Sequence, residues 1–396
     1  MRRRPERKEP RSGAIVAVLS LPDQRYGPED RLDELSRLLA SLGIETLGTV
    51  VQRRAAPDPA SLIGRGKAEE IRLFADERRA RWLVVDEPLS PGQKAALEKW
   101  TGVTVWDRAF VIMKIFERRA VTAEARLQVQ LALTRYELPQ LKGLGMQMSR
   151  TGGGIGTRGP GETEFERHRR RLERRAKEIS KKLDNVRKQR RLVRDRRRKR
   201  GAATVSLAGY TNSGKSTLLR ALSGDASIVA ADRLFSTLDT SVRRVAMPGG
   251  GAFLLSDTVG FIRHLPPELI AAFRATLEEI RFADLLLLVL DASDARALDE
   301  WDVVMDTLAD IDCEGLPRLV VLNKVDAAEA ADVEAMSLAL RAGGEDVVRI
   351  SALRGDGLGE LTAEVERALG AQGQWAIRPV GLRSFTQGME GCAGCS

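Results

Sequence analysis

The sequence predicts an α/β protein in three parts: an N-terminal α/β domain with a parallel sheet, a long antiparallel helical hairpin, and a second α/β domain. Three observations carry this expectation. Short runs rich in Val, Ile and Leu alternate with helix-period stretches over 14–118 and again over 201–370, the pattern of parallel strands covered by helices. Between those stretches the strand signal stops, and apolar residues recur at helical spacing alone. The charge is also uneven. Of 396 residues, 64 are Lys or Arg and 55 are Asp or Glu, a formal net charge of +9, yet residues 162–200 alone hold 19 Lys/Arg against 7 Asp/Glu. One segment therefore carries the whole basic excess, and a block like that suits a polyanionic partner.

A basic tail (1–13) leads into an expected strand over 14–21 and a helix over 28–42. Strands over 44–51, 82–86 and 103–106 follow, with helices over 66–79, 91–100 and 110–119, which completes an N-terminal domain at 14–118. The hairpin is expected over 119–200. Leu127, Leu131 and Leu138 share a helical face. Gly143, Gly145, Gly152, Gly153, Gly154, Gly156, Gly159 and Gly161 then predict a glycine-rich loop over 143–161. Beyond it, Leu172, Ala176, Ile179, Leu183, Val186, Arg190 and Val193 form a heptad seam with one charged interruption. In the last domain, 201–370, strands are expected over 204–209, 253–257, 285–291, 319–323 and 347–351, and 371–396 reads as a short appendage.

Composition excludes several classes. Three cysteines, Cys313, Cys392 and Cys395, cannot staple a chain of this length, which favours a reducing compartment. Cys392 and Cys395 have ligand spacing, but one pair does not close a tetrahedral zinc site. Two His leave little room for His-based catalysis. No apolar run approaches the ~20 residues of a membrane helix, and the apolar stretch after Met1-Arg2-Arg3-Arg4 is short and lacks the cleavage site of a signal peptide. A soluble, cytoplasmic, monomeric protein with no membrane span is expected.

The segment Gly209-Tyr210-Thr211-Asn212-Ser213-Gly214-Lys215-Ser216-Thr217 contains the pattern Gly-x-x-x-x-Gly-Lys-Ser between an expected strand and an expected helix, the context a phosphate-binding loop requires. Its backbone N–H groups can face phosphates, Lys215 can span the β- and γ-phosphates, and Ser216 can ligate Mg²⁺ at the helix start. Three further segments fall at expected strand ends. Asp257-Thr258-Val259-Gly260 can place a carboxylate near Mg²⁺ and the Gly260 N–H on the γ-phosphate. Asn323-Lys324-Val325-Asp326 has the composition of a guanine reader: Asp326 accepts from the base's N–H edge, while Asn323 and the Lys324 stem frame the ring. Ser351-Ala352-Leu353 offers a backbone N–H to the guanine oxygen. Together these four segments resemble the translation-factor-related GTPases, a resemblance that implies GTP as the substrate, Mg²⁺ as the cofactor and a Ras-like P-loop GTPase domain. A further Mg²⁺ ligand is expected from Thr237, ahead of Thr240, in Leu234-Phe235-Ser236-Thr237. Lys215, Thr237 and Gly260 are the expected catalytic residues. Phe261 stands where Ras-like enzymes carry a water-orienting Gln; another group, Arg263, His264 or one from a partner, must serve instead.

The run Gly152-Gly153-Gly154-Ile155-Gly156-Thr157-Arg158-Gly159-Pro160-Gly161-Glu162-Thr163 before a basic helix closely resembles the HflX family of GTPases. Gly64-Arg65-Gly66-Lys67, Leu89-Ser90-Pro91-Gly92-Gln93, Asp107-Arg108, Arg126 to Leu131, and Tyr136 to Pro139 agree, over roughly residues 14–370. His168 stands where that family carries an acid. The resemblance implies ribosome binding, mainly to the large subunit, and GTP-dependent dissociation or rescue of stalled ribosomes. The basic segment then serves as the rRNA-contacting arm: its only aromatic is Phe165, so phosphate contact rather than base stacking supplies affinity. Two alternatives stand beside this reading. One is a regulatory GTPase switch acting on a protein partner. The other is a ribosome-assembly or RNA-remodelling NTPase with a second ATP site at Gly64-Arg65-Gly66-Lys67, which opens an expected helix without the spacer of a full phosphate loop.

Overall fold

The computed structural model describes residues 12–22, 24, 26–151, 160–199, 202–225, 235, 241–258, 260–263 and 266–371. The chain divides into two compact units: residues 1–190 with 232–239 and 263–275, and the remainder.

In the first unit, β1 (Ala14–Ser20), α1 (Pro28–Ser41), β2 (Thr46–Arg53), α2 (Arg65–Glu77), β3 (Trp82–Val85), α3 (Pro91–Thr101), β4 (Thr104–Asp107) and α4 (Arg108–Arg119) alternate as expected. The four strands form one parallel sheet in the order β2-β1-β3-β4. Strand β1 is continuously apolar because both faces are covered. Ile15, Ala17 and Leu19 pack with Ile71 of α2 and Leu97 of α3. Local chemistry sets the helix ends. Ser90 accepts from the Gln93 N–H while Gln93 accepts from Ser90 N–H, a capping box with Pro91 in the first turn, and Gly102 closes α3 in the left-handed conformation. Asp107 caps α4 by accepting from the Phe110 N–H at 2.8 Å.

Charged side chains are buried at the carboxyl ends of β1 and β3. Arg31 of α1 donates to Asp86 Oδ2 at 2.7 Å and to the Leu19 carbonyl at 2.9 Å, and also pairs with Glu87. Arg108 reaches Asp86 Oδ1 and Glu34 Oε2, each at 2.9 Å. Burial drives the Asp86 carboxyl up, but Arg108 and Arg31 outweigh it and hold the group below the usual carboxylate range.

The hairpin consists of α5 (Ala123–Thr151) and α6 (Pro160–Lys199). Leu172, Ile179 and Leu183 of the heptad seam are buried, and Arg190 near the end of α6 meets Glu124 near the start of α5 at 2.7 Å, which runs the helices antiparallel. One expectation is corrected. The loop predicted from 143 starts later, because α5 continues to Thr151. Only two glycines fall in 143–151, at about 1 kcal/mol each against Ala, and Leu144, Met146, Gln147 and Met148 are good helix formers. Residues 152–159 lie outside the described residues.

The second unit holds β5 (Thr204–Gly209), α7 (Lys215–Ser223), β6 (Ser241–Ala246), β7 (Ala252–Asp257), β8 (Leu285–Asp291), α9 (Ala297–Asp310), β9 (Arg318–Asn323), α10 (Ala330–Ala342), β10 (Val347–Arg349) and α11 (Leu358–Ala371); α8 (Pro267–Arg281), between β7 and β8 in the chain, counts with the first unit up to Ala275. Its six strands are ordered β10-β9-β8-β5-β7-β6, parallel except for β6, which pairs antiparallel with β7. Val205, Leu207, Leu287 and Val289 pack with Leu361 and Val365 of α11 on one face; Leu290, Val320 and Leu322 meet Val333 and Met336 of α10 on the other. The carboxyl ends of β5, β7, β8 and β9 thus come side by side.

Candidate nucleotide site

The loop between β5 and α7 is bounded by two glycines that no other residue could replace. Gly209 has φ +147°, and a Cβ there would lie 2.3 Å from the Val289 carbonyl oxygen; Gly214 has φ +94°, and its Cβ would lie 2.1 Å from Asn323 Nδ2. Lys215 opens α7 and is buried, its Nζ donating to the carbonyls of Gly209 at 3.0 Å and Tyr210 at 2.6 Å. Burial pulls its pKa down to about 8, against the opposing pull of Asp257 and Glu300. These carbonyls hold the ammonium over the loop, where phosphate oxygens are stronger acceptors.

Ser216 Oγ donates to Asp257 Oδ2 at 2.8 Å. The two are hard oxygen donors side by side, a set that suits Mg²⁺ rather than a softer metal. Thr258 Oγ1 anchors the strand end on the Leu207 carbonyl at 2.6 Å. Gly260 packs tightly on the loop: a Cβ would come within 3.0 Å of Thr211 Cα and 3.1 Å of Lys215 Nζ. Phe261 extends this contact, donating its N–H to the Gly209 carbonyl at 3.0 Å and accepting from Thr211 N–H at 2.8 Å. Its ring is 1% exposed, so it contributes packing and backbone pairing in place of the polar side chain of Ras-like enzymes. Arg263 is buried too, stacked 3.7 Å from the Tyr26 ring centroid with its carbonyl accepting from Arg108 Nε at 3.3 Å. Thr237, Thr240, Val259 and His264 lie outside the described residues, as do Cys392 and Cys395.

The segments expected to read the base converge. Asn323 links them: its Nδ2 donates to the Ser213 carbonyl at 2.9 Å and its Oδ1 accepts from the Ala352 N–H at 3.0 Å. The Ser351 hydroxyl and Arg354, 3.5 Å away, stabilise the Asp326 carboxylate and lower its pKa. Leu353 is largely exposed beside it. Tyr210, Thr211, Asn212, Ser213 and Thr217 fall within or directly after the loop, as the sequence places them. Sequence reasoning missed Asp291 and Arg354. Asp291 could have been found from its position at the carboxyl end of a parallel strand, where ligands bind in such sheets. Gly64, in contrast, caps α2 with its N–H bonded to Gln52 Oε1 at 3.0 Å, and Lys67 pairs with Glu70 at 2.6 Å.

Residues 204–324 match a family model described as a 50S ribosome-binding GTPase, and 29–117 and 119–197 match models of the N-terminal and middle regions of GTP-binding GTPases. A relative from Caldanaerobacter subterraneus subsp. tengcongensis, GTPase HflX, is 42% identical over 355 residues, 90% of this chain and 80% of its own. The chain belongs to the HflX family of GTPases. The Escherichia coli K12 GTPase HflX is likewise 42% identical, over 348 residues that cover 88% of this chain and 81% of its own. Among solved structures, a GTP-binding protein from the archaeon Sulfolobus solfataricus in complex with GDP aligns with a TM-score of 0.45 and 22% identity, over 91% of this chain and 99% of that one. As an HflX-family member the chain binds and hydrolyses GTP. Among the described residues no helix is long and apolar enough to cross a membrane.

Proposed function

We propose that this HflX-family GTPase is a cytoplasmic, monomeric factor that binds the ribosome, mainly its large subunit, and uses GTP to dissociate or rescue stalled ribosomes. The observation that carries the reading is α6: a 40-residue helix, about 60 Å long, holds the basic excess of the whole chain on one arm. Arg167, Arg171, Arg174, Arg175, Lys177, Lys181 and Lys182 along it are exposed. A polyphosphate surface such as rRNA fits that charge, and in the sequence the glycine-rich residues 152–159 separate α5 from α6.

In the nucleotide site, Lys215 takes the β- and γ-phosphates, and the loop N–H groups cradle them. Ser216, Asp257 and Thr237 hold Mg²⁺, which supplies charge neutralisation at the phosphates. Gly260 donates its N–H to the γ-phosphate, while Asn323, Lys324, Asp326 and the Ser351-Ala352-Leu353 turn read guanine. The buried Phe261 ring cannot orient the attacking water, so turnover alone is slow and the ribosome supplies the missing arrangement.

Sedimentation of the chain with purified 50S subunits in a non-hydrolysable GTP analogue tests the reading. Comigration that falls steeply between low and moderate salt supports it. Binding that ignores salt, or GTP hydrolysis that ribosomes leave unchanged, counts against it.

A further inference from the structure

The Lys324 side chain, expected to lie along the guanine ring, is not held by its own loop. Its Nζ reaches across to Asp291 Oδ2 at 2.5 Å, in a pair whose side chains are 30% and 14% exposed. Asp291 is the last residue of β8, in register with Asn323 at the end of β9, and the Ala292 N–H donates to the Asn323 carbonyl at 2.8 Å. Asp291 is therefore fixed to the strand end from which the base-reading loop departs.

Its two oxygens have separate tasks. Oδ1 accepts from the Ser293 N–H at 3.0 Å and from the Ser293 hydroxyl at 2.6 Å, an Asx-type turn that locks the side chain. Oδ2 accepts from Lys324 Nζ. Lys324 itself has φ +63°, a left-handed conformation that non-glycine residues adopt where surrounding contacts hold them. The ion pair is one such contact. The ammonium is anchored at one end and the left-handed backbone fixes the other, which restricts the freedom of the four-carbon stem between them.

We propose that Asp291 is a positioning residue of the nucleotide site: by anchoring Lys324 it sets the wall against which the purine ring stacks. The inference rests on reading 323–326 as the guanine-binding segment. Asp291 acts on the face of the ring and not on its hydrogen-bonding edge, so it contributes affinity for purine nucleotides without choosing among them. Asp326 makes that choice.

Asp291→Asn keeps the shape and the Ser293 contacts but cannot accept the ammonium. Competition against a fluorescent GDP analogue is expected to show GDP and IDP weakened by the same factor, about tenfold, with displacement by pyrophosphate, which has no base, unchanged. Ser293→Ala, at an exposed position, loosens the Asp291 turn and gives a smaller loss in the same direction. In a Lys324→Met background, which keeps the stem and removes the charge, Asp291→Asn should add less than a twofold effect. GDP affinity within twofold of the parent in Asp291→Asn, or pyrophosphate weakened as much as GDP, overturns the proposal. Failure of the underlying reading looks different: the unmodified chain would then not prefer GDP over ADP at all.

Discussion

Asn323→Ala tests the claim that one amide joins the phosphate loop to the base-reading loops. The side chain is 2% exposed and makes two hydrogen bonds, to the Ser213 carbonyl and from the Ala352 N–H, both on buried residues. Truncation leaves an acceptor and a donor unpaired, at roughly 1–3 kcal/mol each and so about 2–6 kcal/mol together. Against a total stability of about 5–15 kcal/mol this is a large fraction. For a domain of this size about 4 kcal/mol lowers Tm by roughly 8–16 °C. Calorimetry of the whole chain reads it directly, because the transition that rises on adding GDP identifies the nucleotide-binding unit. Leu353→Ala serves as the control, since Leu353 is exposed and adjacent to Ala352. A shift below roughly 3 °C in Asn323→Ala, less than the loss of one such bond, would refute the reasoning.

Three further outcomes are expected. Asp326→Asn places an amide donor where guanine presents its own N–H donors, so preference moves toward xanthine nucleotides, whose C2 oxygen accepts; a competition assay with XDP and GDP reads the exchange. Phe261→Gln buries an amide in place of the ring, so melting temperature falls, and single-turnover GTP hydrolysis does not accelerate. Asp86 is a carboxylate with a depressed folded pKa, so its contribution is present above the unfolded value of about 4 and disappears as pH falls through the folded one. Asp86→Asn leaves Arg31 and Arg108 buried without that charge, a loss of about 3–5 kcal/mol at neutral pH, and flattens acid unfolding followed by circular dichroism.

The elements legible in the sequence are those whose surroundings repeat along the chain. Strands β1, β8 and β9 are buried on both faces and therefore read as unbroken apolar runs. Strand β6, Ser-Val-Arg-Arg-Val-Ala, escaped because it lies at the sheet edge, where one neighbour supplies the ladder and only Val245 is buried. The phosphate loop and the base-reading segments were legible because each is a contiguous string with its own chemistry. The Asp291–Lys324 pair was not, since its partners are 33 positions apart and meet only through the β8–β9 register. Arg31, Glu34 and Arg108 were hidden for the same reason. On an amphipathic helix pattern they resemble solvated charges, and their burial follows from contacts between residues as distant in sequence as Arg31 and Asp86 or Glu34 and Arg108.

The two sheets meet one topological rule in opposite ways. In an open parallel sheet the crevice at the point where strand order reverses is the natural place for a ligand, because loops diverge there. In the first sheet, order β2-β1-β3-β4, that point lies between β1 and β3. Arg31 occupies it, bonded to the last turn of β1 at Leu19 and to Asp86 just beyond β3. In the second sheet the reversal falls at β5, between β8 and β7, and there the chain places Gly209 and a loop whose backbone faces inward on Lys215. A side chain fills one crevice and a glycine opens the other. The same architecture thus yields a self-neutralised scaffold in the first unit and a polyphosphate cradle in the second, and the difference comes from the residue types set at the strand ends.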